Sequence, residues 1–378
     1  MHAGVWNGEA SGREHIIIYT HVLADDGMVS APLRREPAVF YSQKRDLNSI
    51  KCVIALALIV GACFAPVNFA TAAEKSEVRC PPPPTSEISD AEAQRGMDQA
   101  KNHGFMWRIT KGDHTSFLYG TIHVGKFDWM FPGDKVIDAL SSSDTMALEL
   151  DAMDTGLQAR LGKLMIEMSS GTSLPEALQA RMQKQAAAAC VPYNTISGLF
   201  PEMQIVMVSM LASRLDGLEP AYAVDPVLAG VGHQLEMNVV SLETPELQLK
   251  MLKMANERET ISVVEEGLAD IESGRVKVQT RRIAKAWENA DYHDMERFEE
   301  WCDCLDTETD RKMMKRLLDD RNPDMAKKID ALHKSGKSVF VAVGSLHMFG
   351  SYGLPKLMKQ RGYKVERVDF KSNEQASK

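Results

Sequence analysis

Ser338-Val339-Phe340-Val341-Ala342-Val343-Gly344-Ser345-Leu346-His347 runs from five consecutive apolar residues into Gly-x-x-His. A short apolar run rich in β-branched residues and closed by glycine predicts a strand. The same design stands near the other end of the chain, in Phe117-Leu118-Tyr119-Gly120-Thr121-Ile122-His123-Val124-Gly125. There the strand Ser116 to Tyr119 follows a second strand, Phe105 to Ile109, across the turn Lys111-Gly112-Asp113, which predicts a hairpin.

Between these ends the pattern is mostly helical. Thr145 to Leu150 and Val239 to Leu242 read as short buried-type strands. Helical spacing covers residues 91–103, 136–140 and about 155–235, the last broken at Pro175, Pro192, Pro201 and Pro226. Long helices are expected over 246–272 and 276–317, with further helices over 324–335 and 354–361 and a final strand over 363–370. The expected class is α/β (α+β): a single central mixed β-sheet flanked by helices, with a mostly helical inserted cap. Residues 105–370 form that domain, 74–104 a Pro-rich linker and short helix, and 371–378 a tail.

Residues 1–73 read as a leader. Lys44, Arg45 and Lys51 precede an uncharged run from Cys52 to Ala73 that ends in Ala70-Thr71-Ala72-Ala73, the parts of a cleavable export signal. Met28 is an alternative start. Export places the protein in a periplasm or outside the cell. The other readings are lipid anchoring at Cys63 or an uncleaved signal anchor, and membrane contact is expected only through these. Cys80, Cys190, Cys302 and Cys304 remain after cleavage and suit disulfides in an oxidising compartment. Cys302 and Cys304 stand too close for easy mutual bridging, so each is expected to pair elsewhere. The net charge of -8 and the lack of a long basic stretch give no footprint for nucleic acid.

The chemistry concentrates at strand ends. Ligands in open sheets gather beyond the carboxyl ends of strands, where Gly120 and Gly344 allow close backbone approach to a substrate. Imidazole is a common metal ligand and a base near neutral pH, so His123 and His347 are candidate ligands. Glu149 and Glu243 end two further strands. Glu149 is the better ligand candidate; Glu243 could bind metal, support a histidine or shape the pocket. Two histidines and a glutamate with an open position suit an activated water on a divalent transition metal. Arg321 suits a carboxylate or an oxyanion, although by itself it reads as a solvated arginine or a partner of Asp319 or Asp320. Histidines 103, 114, 233, 293 and 333 read as surface or satisfied residues, and Trp287 and Trp301 as packing.

Taken together, GTIH, ALELD, VVSLETPELQLKML, LLDDRNPDMAKKI and VFVAVGSLHMFGSYGLPKLMKQRGYKV resemble the TraB/GumN family, which includes the Tiki proteins. The resemblance spans about residues 105 to 370. It implies a fold similar to ChaN and erythromycin esterase, and a site at His123, His347, Glu149 and Arg321, with Glu243 in a recurrent Leu-Glu-Thr segment. Tiki proteins are metal-dependent proteases, so the resemblance implies Mn, Co or Zn chemistry on a peptide or protein substrate. The alternatives are a non-catalytic ligand-binding protein for haem or a peptide, and a metal-independent hydrolase with a histidine base. The last lacks a Gly-x-Ser-x-Gly nucleophile elbow.

Overall fold

The computed structural model describes residues 80–81, 88–169 and 173–370. The segment read as an export signal, Cys63 and the expected tail lie outside the described residues. Among those described, no helix is long and apolar enough to cross a membrane.

The hairpin forms as expected. Strands β1 (Phe105–Lys111) and β2 (His114–Thr121) pair antiparallel from Phe105↔Gly120 to Lys111↔His114. Gly112 takes φ +61° in the tight turn between them, a conformation that costs a side chain but not glycine. Strands β3 (Thr145–Leu148) and β5 (Val339–Gly344) are each buried along their whole length. Strands β4 (Asn238–Ser241) and β6 (Lys364–Arg367) form the edges. All six make one mixed sheet in the order β4-β3-β5-β2-β1-β6. It is parallel from β4 to β2 and antiparallel from β2 to β6.

Helices α1 (Asp90–Asp98) and α2 (Asp134–Ser141) precede β3. The chain between β3 and β4 carries α3 (Thr155–Ser169), α4 (Glu176–Ala188), α5 (Pro201–Leu211) and α6 (Val224–Gln234). Two hydrophobic centres result. Phe105, Leu118, Phe340 and Trp287 belong to the sheet core, whereas Met182, Val208, Val264 and Leu268 build a smaller core within the inserted helices.

The long helices are shorter than their sequence pattern suggests. Residues 246–272 divide into α7 (Pro245–Leu252) and α8 (Glu257–Glu272). Lys253 turns extended, and the Asn256 side chain caps the second helix through the Glu259 N–H. Residues 276–317 divide further, into α9 (Arg275–Glu288), α10 (Tyr292–Glu296), α11 (Phe298–Trp301) and α12 (Glu308–Met314). Ala290 at φ +48° and the caps Asp291 and Thr307 interrupt the helical run. A π-helical turn (Lys315–Asp319) leads into α13 (Asn322–Lys334), and α14 (Leu354–Gln360) precedes β6.

The cysteines also depart from expectation. Cys302 and Cys304 bridge each other, and Cys80 bridges Cys190. The short α11 ends at Trp301 and the backbone turns, holding the Cys302 and Cys304 Cα atoms 5.0 Å apart. That separation lies within disulfide reach.

Candidate functional site

Four neighbouring parallel strands end at one edge of the sheet, and each delivers a candidate residue. The β2–β5 register sets Thr121 beside Gly344, so the two Gly-x-x-His segments leave adjacent strands together. Ser345 Oγ closes the pair by donating to the Thr121 carbonyl at 2.7 Å. The β3–β4 ladder continues past both strands, because the Glu243 N–H donates to the Glu149 carbonyl at 2.9 Å. Glu243, Glu149, His347 and His123 therefore arrive in the spatial order of strands β4, β3, β5 and β2.

Glu149 is the hub. Its Oε1 accepts from the Gly344 N–H at 2.8 Å and lies 3.7 Å from His347 Nε2. Its Oε2 accepts from Arg321 Nη2 at 2.6 Å and from Gln248 Nε2 at 3.2 Å. Gly344 explains its own residue type: a Cβ there would stand 3.2 Å from His123 Nε2 and 3.3 Å from Glu149 Oε1. A methyl group would fill the hollow that those two donor atoms line. Gly120 has a different task. It packs against Ser345, and its carbonyl accepts the indole N–H of buried Trp287 at 2.8 Å.

Arg321 is neither a solvated arginine nor a partner of Asp319 or Asp320. It is buried, and Nε donates to Glu243 Oε1 at 2.8 Å while Nη2 binds both Glu243 Oε2 and Glu149 Oε2. Nη1 donates to the Leu317 carbonyl at 2.9 Å. The π turn explains this placement: Arg316 anchors the turn to the carbonyl end of α7 through Met251, and the next residues swing inward. Lys315 takes Asp320 instead. Glu243, whose side chain is 1% exposed, spends both oxygens on Arg321 and Gln248. It thus holds the guanidinium that holds Glu149.

Each histidine has an oxygen partner on Nδ1. His123 Nδ1 donates to Asp225 Oδ2 at 2.9 Å, and Thr121 Oγ1 donates to the other carboxylate oxygen at 2.5 Å. His347 Nδ1 lies 2.6 Å from Asn322 Oδ1. Asp225 sits in the first turn of α6, which is tied to the His123 loop because the Val224 N–H donates to the Ile122 carbonyl at 3.0 Å. Such outer partners orient metal-binding imidazoles. Asp225 and Gln248 stand outside the residues expected from the sequence; their signals are an acid at Val224-Asp225-Pro226 and a glutamine one helical turn after Glu243-Thr244.

These surroundings drive the two imidazoles apart. Asp225 lifts His123 to about 9. The His123 side chain is 59% exposed, so the carboxylate and not burial dominates there. Burial pushes His347 down to about 4 against the pull of Glu149. Burial pushes the Glu149 carboxyl up, but His347, His123, Arg321 and the Gly344 N–H overcome it and hold it at about 2. Burial also opposes the Arg321 charge, and Glu243 and Glu149 outweigh it.

Among the described residues, no three His, Cys, Asp or Glu side chains already close on one point as a finished metal site. The donor chemistry nevertheless suits a cation. With His347 neutral and His123 charged, the three carboxylates of Glu149, Glu243 and Asp225 outnumber the cations Arg321 and His123 by one negative charge, and an ion bound through His123 would displace its proton. The Gly344 hollow is bordered by a nitrogen and an oxygen donor.

A family model described as the TraB/PrgY/gumN family matches residues 105–367. No curated protein and no solved structure matches the chain.

Proposed function

Because this chain belongs to the TraB/PrgY/gumN family, we propose that its clustered strand ends form the site of an exported, metal-dependent hydrolase acting on a peptide or protein. The observation that carries this reading is the Gly344 hollow, which His123 Nε2 and Glu149 Oε1 both border, while His347 Nε2 faces the same carboxylate. His123, His347 and Glu149 would hold the ion, with Mn, Co and Zn as the candidate metals. A bound divalent ion would polarise the scissile carbonyl and acidify a water.

The chain's own contribution is positioning and charge. Arg321 and Gln248 hold Glu149 from one side, while the Gly344 N–H holds it from the other. Glu243 keeps Arg321 in place and offsets its charge beside the cation site. Since the guanidinium is committed to carboxylates, Arg321 acts by fixing Glu149, and substrate contact falls to the exposed His123 side of the hollow. Export is supported by the leader and by two cystine pairs.

The test is peptide hydrolysis by the purified mature chain with and without divalent metal. Turnover is expected only with metal, and His123→Ala or His347→Ala should abolish both metal binding and turnover. A fully active double alanine variant would sink the proposal.

A further inference from the structure

We propose that Asn322 is a positioning residue: it fixes His347 as the Nδ1–H tautomer and leaves the Nε2 lone pair turned toward Glu149. Asn322 is 1% exposed. Its Nδ2 donates to the Tyr352 carbonyl at 2.9 Å and approaches the His347 carbonyl at 3.4 Å. Carbonyl oxygens only accept, so the nitrogen end of the amide must face them. The Asn322 oxygen is then the atom 2.6 Å from His347 Nδ1. An amide oxygen also only accepts, so the proton belongs to Nδ1.

In the neutral ring the lone pair then resides on Nε2. That atom faces Glu149 Oε1 at 3.7 Å, with the histidine side chain 4% exposed. Two acceptors thus face each other across a gap too long for a hydrogen bond, an arrangement that suits a cation shared between them. Arg321, the preceding residue, holds the other Glu149 oxygen. One dipeptide, Arg321-Asn322, therefore sets both sides of the gap, and the π turn delivers it as a unit.

This assignment deepens the metal-site reading and rests on it only for the metal measurement. The tautomer is read without metal, by long-range proton–nitrogen correlation on the chelator-treated chain labelled with ¹⁵N-histidine. His347 is expected as the neutral Nδ1–H form. Asn322→Leu should give a mixture containing Nε2–H and weaken Co²⁺ binding by about 10- to 100-fold. Asn322→Asp keeps an acceptor and should keep the Nδ1 proton, although losing the Nδ2 bonds lowers its Tm. A purely structural role would make the two variants alike.

A wild-type ring protonated at Nε2, or an Asn322→Leu ring with an unchanged tautomer, would overturn the assignment. If neither variant folds, the wild-type spectrum decides alone. If the tautomers follow expectation but no protein binds Co²⁺, the metal reading fails and the positioning role stands.

Discussion

His123 and His347 come from one four-residue pattern, yet their surroundings give them opposite chemistry. Asp225 stabilises the charged form of His123, whose pKa rises to about 9. Burial destabilises the charged form of His347, whose pKa falls to about 4. An unfolded histidine titrates near about 6.5. Linkage then acts in opposite directions. The His123 contribution is fully present below the unfolded value and is lost as pH rises through about 9. The His347 contribution is present above the unfolded value and is lost as pH falls through about 4. The metal-free chain should therefore be most stable between these limits, near the unfolded value, with stability declining on both sides. A Tm series from acid to alkaline pH checks this. Asp225→Asn should flatten the alkaline limb and leave the acid limb, since the amide can still accept from Nδ1 but carries no charge. A decline on one side only, or an unchanged alkaline limb in Asp225→Asn, would contradict the assignment.

Strands β2 and β5 were legible because their apolar runs end abruptly at glycine. The helices of the insertion were less so. Periodicity carried the reading through Lys253 and Ala290, where the chain turns because Asn256 and Asp291 offer their side chains as new caps. Arg321 shows the same limit. Its neighbours Asp319 and Asp320 made an ordinary local pair plausible, whereas the π turn sends it to Glu149 and Glu243, far away in sequence. The glycine at the end of β5 yields an element-scale prediction. Gly344 has φ -48°, a conformation open to any residue, so Gly344→Ala introduces no backbone strain. Its methyl group would press on His123 Nε2 and Glu149 Oε1. The unfolding free energy from denaturant titration should change little, within about 1 kcal/mol, as for a substitution without a large buried defect. Metal binding, measured by titration calorimetry, should nevertheless fall sharply. Retained affinity would show that the hollow is not where the ion sits.

At the scale of the molecule, the parallel neighbours of β5 could not be read from the sequence. β2 and β3 flank it only because the long helical returns bring the chain back beside earlier strands. That order unites Glu149 with residues from both Gly-x-x-His segments, and no local pattern encodes it. The cysteine pairing is likewise a property of the whole chain. Cys80 reaches Cys190 over a sequence separation of 110 and ties the segment before α1 to the insertion beyond α4. Cys302 and Cys304 enclose a separation of only 2. A crosslink removes more freedom from the unfolded chain as its loop lengthens, and a loop of about 100 residues contributes about 4.7 kcal/mol in the chain-entropy account. Paired serine substitution at Cys80 and Cys190 should therefore lower unfolding free energy by about 4–5 kcal/mol, while substitution at Cys302 and Cys304 costs much less. Urea unfolding of the two double variants under oxidising conditions measures the difference. Equal losses would mean that loop closure is not what these bridges contribute, and a loss confined to Cys302 and Cys304 would place the stabilising constraint at the turn before α12.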